Sequence, residues 1–209
     1  MTHSLHRVGT EENLSEDYLI LVMPSKDINH KGSGPKLRRF LEIALESGAI
    51  KIGDCRKGNQ YHQGGIQAVL DHVEDRALVQ AVFNRRESLA KALKKIKEAE
   101  LGLSVVVSGL WDRVDQCCRE VGLEKHTVNY SLGRWGRTEK LPAKEVLEIN
   151  TMCGHGMVTA SLIEEVKEEV KKGKLTAVQG AEKLFRPCMC GVFNPDRAAK
   201  LLRAMAKSS

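Results

Sequence analysis

An α/β architecture, a largely parallel sheet covered by helices, is what the sequence predicts, and three observations carry the prediction. Apolar runs of strand length alternate with helical stripes over residues 17–140. The first run, Tyr18-Leu19-Ile20-Leu21-Val22-Met23, is apolar throughout, as suits a strand covered on both faces. After Tyr130 the composition shifts, and from Met157 the chain reads helix, helix, loop, helix. A ferredoxin-like α+β sheet is the alternative, and follows if residues 49–52 and 77–83 pair as antiparallel neighbours. The expected organisation is a loose polar arm at 1–16, an α/β domain at 17–140 and a helical C-terminal segment at 141–209.

Pro24 ends the first strand. Residues 35–46 set Leu37, Phe40, Leu41, Ala44 and Leu45 on one stripe, with Pro35 as first residue and Gly48 as stop. Residues 49–52 read as a short strand, 66–73 as a helix, 77–83 as a strand and 88–99 as a helix. Residues 103–107 are the clearest strand, 111–121 its following helix closed at Gly122, and 126–130 a last strand. Residues 142–150 fit a short helix or a strand equally. Further on, 157–172 is a helix stopped by Gly173, 177–185 a helix capped by Thr176, and Asn194-Pro195 the N-cap and first residue of a helix running to about Ala206.

A chain of 209 residues with 42% hydrophobic content is globular. Its formal charge of +6 suits an anionic metabolite or nucleic acid, but the charges are interspersed and aromatics make up only 4%, which argues against a base-stacking platform. No apolar run approaches the ~20 residues that span a bilayer, and residues 1–15 lack the apolar core of a signal peptide, so no membrane partner and a cytoplasmic location are expected. Six cysteines in such a chain read as reduced thiols, metal ligands or redox groups. Cys117-Cys118, inside a helix, reads as packing. A homo-oligomer is left open.

In open α/β sheets, ligands bind where loops converge beyond the strands' carboxyl ends. Four loops are expected there. Residues 24–34 offer Lys26; residues 53–65 form a long polar loop in which Arg56 and Lys57 favour a Cys55 thiolate; Ser108-Gly109 expose N–H groups; and residues 129–137 bring Tyr130, Arg134, Trp135 and Arg137. Lys26, Ser108, Gly109, Tyr130, Arg134, Trp135 and Arg137 are therefore the candidate anchors for a small anionic metabolite.

The most informative residues are Cys153, Cys188 and Cys190, in Cys153-Gly154-His155-Gly156 and Arg186-Pro187-Cys188-Met189-Cys190-Gly191. Glycines allow close backbone approach, and Cys153 is expected at the start of the 157–172 helix, where N–H groups favour a thiolate. Folding of the intervening helices would bring both segments together around an iron–sulfur cluster. Three thiolates leave one iron to His155 or Cys55, or open to substrate as a Lewis acid. An iron–sulfur enzyme with lyase, desulfurising or redox chemistry follows, with His155 and Cys55 as catalytic candidates. Zinc held by the three cysteines and His155 is the alternative cofactor, although the Cys188–Cys190 spacing is tighter than a usual knuckle. Metal-free thiol chemistry uses the same residues. A non-catalytic zinc- or thiol-containing regulatory or binding module is the alternative class.

Overall fold

The computed structural model describes residues 4–207. Its strands are β1 (Tyr18–Met23), β2 (Lys51–Asp54), β3 (Gly58–Asn59), β4 (Val79–Phe83) and β5 (Ser104–Ser108). Its helices are α1 (Glu11–Leu14), α2 (Gly34–Glu46), α3 (Gln60–Gln63), α4 (Ile66–Asp71), α5 (Arg86–Glu98), α6 (Trp111–Glu120), α7 (Lys144–Asn150), α8 (Ala160–Lys171), α9 (Ala177–Phe185) and α10 (Pro195–Lys207).

The strand order is β3-β2-β4-β1-β5 and every neighbouring pair is antiparallel. The expected largely parallel sheet is thus overturned in favour of the ferredoxin-like α+β alternative. The helical crossovers are where the sequence puts them, since β1-α2-β2 and β4-α5-β5 each return the chain parallel to its start. The two units interleave, however. β4 inserts between β1 and β2, and β1 between β4 and β5, so each strand's hydrogen-bonding neighbours run the other way. Hydrophobic periodicity reports the crossover and is blind to what lies between its strands.

Strand alternation splits the core in two. Tyr18, Ile20, Val22, Ile52, Val79, Ala81 and Phe83 pack under α2, α5 and α6, while Leu19 and Val82 pack on the opposite face under α7 to α10. The C-terminal helices therefore form a third layer. Thr176 closes a capping box with Gln179 at the start of α9, and the Asn194 side chain accepts from the Arg197 N–H at the start of α10.

Residues 4–16 are docked, which corrects the loose arm expected there. Arg7 pairs with Asp17 and donates to the Met152 and Val192 carbonyls at 3.2 and 2.6 Å. Asp17, wholly buried, also binds Arg197 at 2.8 Å, and Arg197 donates to the Val8 carbonyl at 2.5 Å. The polar arm is held by Arg7, the charge it supplies to the interior, and by the Val8 carbonyl that accepts from Arg197.

Two further elements differ. Residues 126–130 form no strand and are exposed. The expected loop at 53–65 is folded into the β2–β3 hairpin and α3, whose N-cap is Asn59.

Candidate thiol centre

Cys153 does not begin a helix. α8 starts at Ala160, where Thr159 caps it, because a Thr hydroxyl accepting the Leu162 N–H sets the boundary more firmly than the apolar Met157 and Val158 extend it. Cys153 instead sits in the turn after α7, its N–H bonded to the Asn150 carbonyl at 3.2 Å. The turn still does what a helix start would. Cys188 first, and then the backbone N–H groups of His155, Val158 and Met157, hold the Cys153 thiol pKa down to about 5 against the cost of burial. Cys188 is pushed up by Cys153, by Cys190 and by burial.

The contacts continue beyond the two expected segments. Cys190 shares one core cluster with Cys153 and Cys188, Cys55 packs against that cluster, and the Cys190 sulfur lies 3.6 Å from His155 Nδ1; Cys190 helps push up the thiols of both Cys188 and Cys55. Four thiols from three distant stretches thus form a row, Cys153–Cys188–Cys190–Cys55. Cys153, Cys188 and Cys190 are buried; Cys55 is partly exposed and His155 exposed. No disulfide links any of the six cysteines. Of the two cations expected to favour a Cys55 thiolate, Lys57 is engaged by Glu74 and the His72 carbonyl, and the Cys55 pKa is raised by Cys190 and by burial.

The sheet is shaped to receive this row. Gly53 and Gln80 lie opposite one another on β2 and β4, on the face under the C-terminal helices. A Cβ on Gly53 would press into the Cys190 carbonyl, so only glycine lets the 188–191 backbone rest on β2. Gly191, at φ +78°, supplies the left-handed residue that turns the chain away. The Gln80 amide donates to the Cys190 carbonyl and, at 3.5 Å, to the Cys55 sulfur. Asn59, fully buried, donates to the Cys188 carbonyl at 2.7 Å while its oxygen caps α3. Gln80 and Asn59 escaped the sequence reading, although a lone glutamine within the apolar run of residues 77–83 is a visible signal.

The remaining candidates are scattered. Because β1 and β5 are antiparallel, Lys26 follows the end of β1 that lies beside Ser104, whereas Ser108 and Gly109 lie at the opposite end. The premise of four loops on one edge fails with the parallel sheet. At the start of α2 an anion is already present within the chain: Asp75 accepts from the Gly32 and Gly34 N–H groups, both at 2.7 Å, and its pKa is lowered by them. Tyr130, Arg134, Trp135 and Arg137 lie on an exposed coil, with Tyr130 edge-on to Trp111 and Arg137 beside Glu139. Cys117 and Cys118 are buried in the α6 core, as packing residues should be.

Among the described residues, no three His, Cys, Asp or Glu side chains are grouped to hold a single metal ion. A mononuclear zinc site needs its donors about 2.3 Å from one point. A row does not provide that. In an iron–sulfur cluster each thiolate binds its own iron, so the ligands need to border a common space and need not meet. Among the described residues, no helix is long and apolar enough to cross a membrane.

No family model, curated protein or solved structure matches the chain.

Proposed function

We propose that this protein is a redox protein holding one iron–sulfur cluster on Cys55, Cys153, Cys188 and Cys190. The observation that carries the reading is the gathering of four thiols from residues 55, 153 and 188–190, three buried in one core cluster and Cys55 packed against it. Four cysteines are the usual ligand count of such a cluster. The N–H groups of residues 155, 157 and 158, together with the Gln80 amide, are hydrogen-bond donors to the sulfurs, the kind of contact that tunes a cluster's potential.

The ligand count also chooses among the chemistries. A lyase or desulfurising reaction needs an iron open to substrate, and Cys55 as fourth thiolate fills that position. One-electron transfer needs no open iron. The cluster then accepts and returns one electron with no bond to substrate made or broken, and a reducing compartment such as the cytoplasm would keep the thiols available.

A second reading has one specific observation in its favour. Cys153, its thiol pKa held down to about 5, beside Cys188, whose thiol is pushed up, is the pairing that metal-free dithiol chemistry uses. Iron and acid-labile sulfide analysis of anaerobically purified protein separates the two. The cluster reading expects brown protein with about two or four irons per chain and matching sulfide. Colourless protein that carries zinc or no metal would overturn it. Cys188→Ser should lose colour and iron, and Cys117→Ser should keep both.

A further inference from the structure

We infer that the outer edge of β5 is a self-association surface, on which a second copy of this chain adds its own β5 in antiparallel pairing about a two-fold axis at Val106. The two edges of the sheet are unequal. At one, β3 is two residues long and passes directly into α3, which leaves almost no ladder to extend. At the other, β5 pairs with β1 on its inner side, no described residue forms a strand ladder with its outer side, and the Ser108 hydroxyl at its end bonds the Ser4 hydroxyl at 2.7 Å. Exposed edges are ordinarily guarded by lysine, proline, a bulge or a covering element. Here Leu101-Gly102-Leu103-Ser104-Val105-Val106-Val107-Ser108-Gly109 contains no charge and no proline.

The occupant is indicated by symmetry. Ser104-Val105-Val106-Val107-Ser108 reads the same in both directions. Antiparallel pairing with an identical strand therefore sets Val106 against Val106, Val105 against Val107 and Ser104 against Ser108. Such a contact is self-complementary, as a two-fold interface must be. A foreign strand would gain nothing from that palindrome.

The surroundings extend the contact beyond five residues. Of the twelve large apolar residues most exposed among those described, seven lie between Val106 and Leu141, including Tyr130 at 60%, Leu132 at 83% and Trp135 at 84%. A concentration of this kind marks an interaction surface. Tyr130 stacks edge-on against Trp111, three residues beyond the Ser108 end of β5. At the Ser104 end there is a cavity of about 200 Å³ with mainly apolar lining that includes Leu101, Leu103, Val105 and Leu123. Two-fold pairing lays the Ser108 end of each copy beside the Ser104 end of the other. Each copy thus brings the aromatic segment toward its partner's cavity.

Sedimentation of the 209-residue chain tests this, with a dimer as the expected species. Val106→Lys should return it to monomer, while Val178→Lys, on the exposed side of α9, should leave the dimer intact. A monomeric wild type, or a dimer indifferent to Val106→Lys, overturns the inference. Cross-linking gives a second reading that does not depend on a destabilised variant. Val106→Cys should form a chain-to-chain disulfide on mild oxidation beyond the wild-type background, because opposed residues in antiparallel strands are about 4.5–5.5 Å apart at Cα. Ser104→Cys, whose counterpart in the partner lies at the far end of the strand, should not. Cross-linking at both positions, or at neither, also overturns it.

Discussion

The two faces of this sheet differ in what they are asked to hold. Toward α2, α5 and α6, β1 and β4 turn Tyr18, Ile20, Val22, Val79, Ala81 and Phe83, and the layer above answers with Leu37, Phe40, Leu41, Leu89 and Leu93. Toward the C-terminal helices the same two strands turn Leu19, Leu21, Gln80 and Val82, and the layer above brings three cysteines. The first face only has to be dry, and apolar side chains of the right volume are enough. The second must fix a backbone loop in one position, and that takes directional groups: a missing side chain at Gly53 and amides at Gln80 and Asn59. Purely apolar packing and the four gathered thiols thereby lie on opposite sides of five strands.

The largest effects should show how separate the faces are. Phe40→Ala, in the dry layer, should cost about 3–5 kcal/mol in chemical denaturation, with the iron-to-protein ratio of the folded protein unchanged. Asp17→Ala should cost a similar ~3–5 kcal/mol, because it strands both Arg7 and Arg197 in the interior. Unlike Phe40→Ala it should also lower iron retention, since Arg7 secures the Met152 and Val192 carbonyls beside the thiols. Equal iron retention in the two variants would break the comparison.

Smaller changes sharpen it. Gly53→Ala should cost about 1–3 kcal/mol by overpacking and release most of the iron, because its methyl displaces the Cys190 carbonyl. Gln80→Leu should cost about 1–3 kcal/mol by leaving that carbonyl unsatisfied, and should keep the iron while moving the reduction potential. The least effect belongs to Asp75→Ala, remote from the cysteines. Its depressed pKa means that the carboxylate's bonds to Gly32 and Gly34 contribute above the ordinary value of 3.8 and are lost as pH falls through the lower folded value. Melting temperatures of variant and wild type should therefore differ at neutral pH and converge in acid, with iron content the same throughout.

What the sequence made legible follows from the range of each signal. Helices and strands are local, and β1, α2, α9 and α10 stand where periodicity and the Thr176, Asn194 and Pro195 signals put them. Strand neighbours are not local. The insertion of β4 between β1 and β2 leaves no mark on either strand's pattern, so the parallel sheet was the natural error. The site divides in the same way. Cys153, Cys188, Cys190 and His155 stand out by their flanking glycines, and the structure brings them together. Cys55 was visible as a cysteine in a polar loop, but its place at the end of the row depends on the β2–β4 register, which only the folded sheet defines. Gln80 and Asn59 act through backbone carbonyls 110 and 129 residues away, a separation beyond any local pattern.

The central claim is that the sheet and the C-terminal helices share one centre, and Cys55 is the sheet's contribution to it. Electron paramagnetic resonance of the reduced Cys55→Ser protein, read with its iron content, tests that directly. The account predicts loss of iron or a changed cluster signal. Full iron with a spectrum identical to wild type would place Cys55 outside the centre and contradict it.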